Sequence, residues 1–164
     1  MTGARTIAST PGSALKLWLP ALLWPLIIIV NSGDYLSANH TYGMLHLLLQ
    51  HYLGLPISNY AIDWLNVLAR KSAHFLEYGL LYFLYYRAIG SLRVTLLARY
   101  VLPLVAVLVF ASADEWRQSF TRERHASPFD VVLDLSGGLA AATLLLRRHH
   151  PPAAEPLASF RLQR

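Results

Sequence analysis

No cysteine occurs among the 164 residues, so disulfides, thiolate zinc sites and thiol nucleophiles are excluded. Charge is nearly as scarce. Asp, Glu, Lys and Arg make up 14% of the chain, where a soluble domain carries roughly 25%. No HExxH spacing marks a zinc site, and no serine sits in a nucleophile-elbow pattern. Glycine-rich phosphate loops are missing too, since Ser136-Gly137-Gly138 lies inside an apolar stretch. No internal repeat is visible, which weighs against a carrier built from repeated halves. The net charge of +5 does not imply nucleic-acid binding, because the basic residues are scattered at segment ends and form no aromatic-interleaved patch.

What is abundant is apolar surface. The chain is 55% hydrophobic and 12% aromatic, with a mean hydropathy of +0.39. Its apolar runs approach the roughly 20 residues needed to cross hydrocarbon. The fold class expected is all-α: a multi-pass transmembrane bundle of four helices, with spans at residues 17–30, 72–89, 99–120 and 129–146. Pro20 and Pro25 should bend the first span. Arg5 and Lys16 precede it as in a signal peptide, but Asn31-Ser32-Gly33-Asp34 makes a poor cleavage site, so an uncleaved helix is expected. Between the first two spans, residues 44–53 are too short to cross and read as an interfacial or re-entrant helix, followed by Gly54 and Pro56. Ser58 is placed to N-cap a helix leading through Trp64 and Leu65 into the second span. The expected organisation is a flexible N-terminus at 1–14, a transmembrane domain at 15–148 and a disordered tail at 149–164.

Five of the nine acidic residues, Glu77, Asp114, Glu115, Asp130 and Asp134, sit in or at the mouths of these apolar runs, with Lys71, His74, Gln118 and Arg124 beside them. Ionisable groups in a bilayer cost at least a few kcal/mol near its centre, so they tend to be paired and functional. With four spans, the start of the second, the end of the third and the start of the fourth share one membrane face, which gathers all of these residues there. The loop cations choose the face. With both termini inside, nine lie on the cytoplasmic side (Arg5, Lys16, Arg87, Arg93, Arg99, Arg147, Arg148, Arg161, Arg164) and five outside (Arg70, Lys71, Arg117, Arg122, Arg124). The polar face is then extracytoplasmic and the topology N-in, C-in. Helical spacing puts Lys71, His74, Tyr78, Tyr82 and Tyr85 on one stripe with Glu77 on its shoulder. It stacks Asp114 on Gln118, turns Glu115 away, and extends the Asp130–Asp134 face through Gly137, Gly138 and Ala141, a stripe of small residues suited to close packing.

Two motifs resemble a known family. Lys71-x-x-His74-Phe75-x-x-Tyr78, followed by Asp114-Glu115-x-x-Gln118-x-Phe120, Arg124, Asp130 and Gly138, is similar in order and spacing to the signatures of the VanZ-like membrane proteins. The resemblance covers roughly residues 65–145, and the first span carries no motif. It implies a four-helix protein of the bacterial cytoplasmic membrane and a link to sensitivity toward the lipoglycopeptide teicoplanin, but no particular reaction. One position departs: the family's usual Asn four residues after Asp130 is Asp134 here, which adds a potential negative charge.

The function expected is ligand binding. Lys71 and Arg124 would hold the head group of an anionic lipid or lipid-linked envelope precursor, in a site completed by His74, Glu77, Asp114, Glu115, Gln118, Asp130 and Asp134. An alternative is an enzyme acting on a lipid-linked substrate, with His74 or Glu77 as general base and Asp114 as a third catalytic candidate. Another is a structural or assembly protein whose polar network locks the helices, Lys71 pairing with Glu77 and Arg124 with Asp114 or Asp130, bridged by Gln118. Neither a metal nor another cofactor is expected. Asp114, Glu115, Asp130 and His74 offer donors for a divalent ion, but Lys71 and Arg124 compete for the carboxylates. His125 reads as a loop residue, His149 and His150 as part of the tail, and His40, His46 and His51 share no helical face. The run Tyr82, Phe83, Tyr85, Tyr86 reads as an interfacial belt and helix packing.

Overall fold

The computed structural model describes residues 11–33, 38–120 and 127–149. They form five α-helices: α1 (Pro11–Asn31), α2 (Ala38–His46), α3 (Asn59–Ile89), α4 (Leu96–Gln118) and α5 (Pro128–His149), with no strand among the described residues. Three stretches are long and apolar enough to cross a membrane: Ala14–Asn31, Leu96–Gln118 and Pro128–Arg148. The expected count of four spans is met only in part. The segment read as the second span is the C-terminal part of α3, a 31-residue helix whose apolar character is diluted by Lys71, His74, Glu77, Arg87 and its tyrosines.

Local chemistry explains the boundaries. Ser58 caps α3 as expected, its hydroxyl accepting from the Ala61 N–H at 3.3 Å. Thr95 does the same for α4 through the Ala98 N–H at 3.2 Å. Ser127 accepts from the Phe129 N–H at 3.3 Å just before Pro128 opens α5. Pro20 and Pro25 both lie within the single helix α1. The short segment expected at 44–53 is α2 running on into a π-helical stretch, Leu47–Tyr52, where the Leu53 N–H reaches back five residues to Leu48 O at 3.0 Å. Gly54 follows at φ 60°, a left-handed conformation that glycine adopts without steric cost.

Helix directions follow from the contacts. Lys71 meets Asp130 and Phe75 meets Gly137, so α3 and α5 run parallel. Trp18 meets Tyr85 and Asn31 meets Glu77, so α1 is antiparallel to α3. Glu115 meets Ser127 and Val107 meets Gly138, so α4 is antiparallel to α5. The small-residue stripe packs as expected. A Cβ on Gly137 would collide with the backbone carbonyl of Phe75, and one on Gly79 would meet Gly137 O at 3.3 Å. Only glycine lets α3 and α5 approach this closely.

The packed core between the helices holds Ile28, Tyr78, Leu81, Tyr82, Tyr86, Val107, Ala111 and Ala142. Around it the usual arrangement is inverted. Large apolar side chains face outward on α1 (Leu22, Leu26, Val30), α4 (Val101, Val109) and α5 (Val132, Leu139, Leu144), while Ser32, Asn66, Asp114, Glu115, Gln118 and Asp134 are buried. Apolar faces of this extent are at home in lipid, not water.

Candidate functional site

The polar residues gather at one end of the bundle, where α1 and α4 finish, α5 begins and α3 passes through. They form two groups that share α3 and α4.

The first group joins α1, α3 and α4. Ser32 Oγ donates to Asp114 Oδ1 at 2.6 Å, and Arg117 Nη2 donates to the same carboxylate oxygen at 3.0 Å and to Ser32 O at 3.0 Å. Gln118 Nε2 donates to Asp114 Oδ2 at 2.7 Å, the i to i+4 stacking expected of these two residues. Asn31 Nδ2 donates to Glu77 Oε1 at 2.9 Å, and Trp24 Nε1 donates to the Glu77 backbone carbonyl at 2.9 Å. Both Asp114 oxygens therefore receive donors, and the carboxylate acts as a clasp between α1 and α4.

The second group joins α3, α4 and α5. Lys71 Nζ contacts Asp130 Oδ1 at 2.8 Å. This corrects the expected pairing of Lys71 with Glu77: Glu77, six residues further along α3, faces the end of α1 instead. Glu115 does point away from Asp114, but into this second group, where its Oε2 accepts from the Ser127 N–H at 2.8 Å. His74 stacks on Tyr78, ring centroids 6.4 Å apart and 15° from parallel, and its Nδ1 lies 3.8 Å from Asp134 Oδ1. Asp134 is 2% exposed. Its Oδ1 and the Tyr78 hydroxyl have no hydrogen-bond partner among the described residues. Arg124 lies outside the described residues, as does His125.

Two cavities open among the described residues. The larger, about 680 Å³, lies between α2 with its π-helical continuation and α3. Its apolar wall includes Met44, Leu45, Leu47, Leu48 and Tyr52, and its polar side Asn31, Asn66, Arg70, His74 and Glu77. The smaller, about 170 Å³, is lined by Val67, Arg70, Lys71, His74, Glu115, Gln118, Asp130, Leu133 and Asp134. Of the catalytic candidates, His74 and Glu77 line the larger cavity; Asp114 lines neither. No three His, Asp or Glu side chains among the described residues are grouped to hold a metal ion.

Several site residues were not anticipated. In the sequence Asn31 and Ser32 read only as part of a poor cleavage site, yet a Ser and an Asn closing an apolar run are natural donors to a buried carboxylate. Arg117 was assigned to the outer loop but belongs to the last turn of α4, three residues from Asp114. Asn66 and Arg70 lie in the lead-in to the expected second span, and only the continuity of α3 brings them to the cavity.

Apolar outer faces, spans of membrane length and a buried polar end define an α-helical membrane protein with a polar cluster inside its bundle. Within that class the chain belongs to the VanZ/LLP1 family, which matches residues 17–148. The match extends past the two motifs to include α1 from residue 17 onward, which carries no motif. No curated protein and no solved structure matches the chain.

Proposed function

We propose that the chain is a four-span protein of the bacterial cytoplasmic membrane, N-in and C-in, whose extracytoplasmic polar site binds the head group of an anionic lipid or lipid-linked envelope precursor. The fourth span is α3, held in the bundle by its tyrosines and by the close approach of Gly79 to Gly137 of α5 where its own apolarity falls short. The observation that carries this reading is the larger cavity, where an apolar wall from α2 and its continuation faces Arg70, Asn66 and Asn31. An amphiphile needs this combination: acyl or prenyl carbon against leucine and methionine, and phosphate against guanidinium. Lys71 lines the smaller cavity, which shares Arg70 and His74 with the larger one. Teicoplanin sensitivity follows if the bound molecule is an envelope precursor, and comparing susceptibility with and without the gene tests that link.

Native mass spectrometry of the detergent-extracted protein tests the binding. The wild type should carry phospholipid or lipid-linked precursor, and Arg70→Ala should lose it with its helical content intact. Wild-type protein stripped of every lipid under mild extraction would sink the proposal. Glu77→Gln separates a site from a helix-locking network, which predicts a lower melting temperature and no selective loss of ligand.

Catalysis on the bound lipid is the second reading. It is favoured by His74, which lines the larger cavity with Glu77 and has its Nδ1 3.8 Å from buried Asp134. Lipid profiling of cells lacking the protein should then show one species accumulating and another missing.

A further inference from the structure

The smaller cavity differs chemically from the larger one. Lys71 is engaged by Asp130 at 2.8 Å, and Glu115 receives the Ser127 N–H on one oxygen. Asp134 is buried, yet its Oδ1 finds no hydrogen-bond donor among the described residues, and the His74 nitrogen at 3.8 Å is beyond bonding reach. A buried carboxyl oxygen without a donor is costly, so a ligand that brings one is favoured. Asp130 is already paired with Lys71, so the unmet demand at this cavity is that of Asp134, and an ammonium meets it with N–H donors as well as charge. A metal ion fits poorly, because the described acidic and histidine side chains are not grouped as ligands. An ammonium group makes no such demand, since it hydrogen-bonds in three directions and needs no fixed coordination shell.

Arg70 and His74 line both cavities. A head group lodged in the larger cavity therefore has the smaller one directly beyond these two side chains. We propose that the smaller cavity is a subsite for a primary ammonium carried by the same amphiphile, whose phosphate rests on Arg70 and whose amine reaches Asp134 and Glu115. This rests on the lipid-binding reading above and narrows its ligand to an aminophospholipid-type head group. The pocket discriminates by donors: a glycerol head group brings no positive charge to Asp134, and a trimethylammonium brings charge without N–H.

The test uses the full chain in detergent, loaded separately with phosphatidylethanolamine, phosphatidylglycerol and phosphatidylcholine and read by native mass spectrometry. Wild type should retain phosphatidylethanolamine on the order of ten-fold better than the other two, the effect of one charge-assisted contact in a buried site. Asp134→Asn, nearly isosteric, should erase the preference while phosphatidylglycerol retention stays unchanged; Glu115→Gln provides the same readout if Asp134→Asn does not fold. No preference in the wild type, or a preference intact in both variants, overturns the ammonium subsite and leaves lipid binding standing. Failure to retain any of the three lipids defeats the lipid reading itself. Soluble phosphoethanolamine that displaces the lipid at equal concentration upholds the subsite but makes the free amine its ligand.

Discussion

The two ends of the helical bundle solve the same problem in different ways. At one end, Tyr82 donates to the Tyr100 carbonyl at 3.2 Å, the Tyr86 and Tyr100 hydroxyls lie 3.3 Å apart, and the Arg99 guanidinium sits 4.4 Å over the Tyr86 ring. None of these residues lines either cavity. At the other end carboxylates replace phenols, and cavities open beside them. Even there the behaviour divides. Asp114 is clasped by Ser32, Arg117 and Gln118, whereas Asp134 keeps an oxygen without a donor among the described residues. Polar burial alone therefore does not separate scaffold from site. What separates them is whether the side chains already satisfy one another or leave an atom facing space that a ligand can fill.

The sharpest way to break this contrast is at the contact holding both ends in register. Gly137→Ala places a methyl group against the Phe75 backbone carbonyl, which cannot rotate aside as a side chain would. The α3–α5 pair must separate, at a cost of about 2–3 kcal/mol. Thermal unfolding in detergent should show the loss, and lipid retention should fall with it. Gly43→Ala, with nothing within 4 Å of its added Cβ, should melt no lower than wild type, because alanine is the better helix former inside α2. Equal melting of the two variants would mean that the close approach of α3 and α5 does not hold the bundle.

A smaller effect is expected at the tyrosine end. Tyr86→Phe removes one hydroxyl from the Tyr86–Tyr100 contact and leaves ring and packing in place, for about 0.5–1.5 kcal/mol. Melting should drop accordingly, while retention of every lipid class stays at the wild-type level. A selective loss of one lipid in this variant would erase the division between scaffold end and site end.

Much of this was legible in the chain because helix geometry is local. The Asp114–Gln118 stacking, the small-residue stripe of α5 and the Ser58 cap all follow from spacing of three or four residues along one helix. The partners across helices did not follow. Lys71 was paired with Glu77 on the same helix, but rotation of α3 about its axis turns Lys71 toward α5 and Glu77 toward α1, and only packing sets that rotation. Asn31 and Ser32 were missed for a related reason: their role exists only because α1 ends level with Asp114. The larger cavity was the least legible feature, since its wall comes from a weakly apolar segment with a π-helical stretch that no periodicity announces.

The smallest effect on stability should accompany one of the clearest effects on binding. Lys71 and Asp130 form their ion pair with side chains 52% and 37% exposed, and pairs this open contribute about 0–1 kcal/mol. Lys71→Gln should therefore melt within a degree or two of wild type. At the same position the ammonium borders the smaller cavity, which adjoins the larger one at Arg70 and His74, so its charge also reaches a phosphate resting on Arg70. Removing it should weaken retention of all three phospholipids, because each brings the phosphate that Lys71 attracts. Phosphatidylethanolamine should lose least, since its primary ammonium is also relieved of a like charge in the subsite. Tyr86→Phe and Lys71→Gln thus form a crossed pair, one losing stability without binding and the other losing binding without stability. If Lys71→Gln instead lowers the melting point as far as Tyr86→Phe does and leaves lipid retention unchanged, the cation belongs to the scaffold and the boundary of the site must be drawn inside it, at His74 and Asp134.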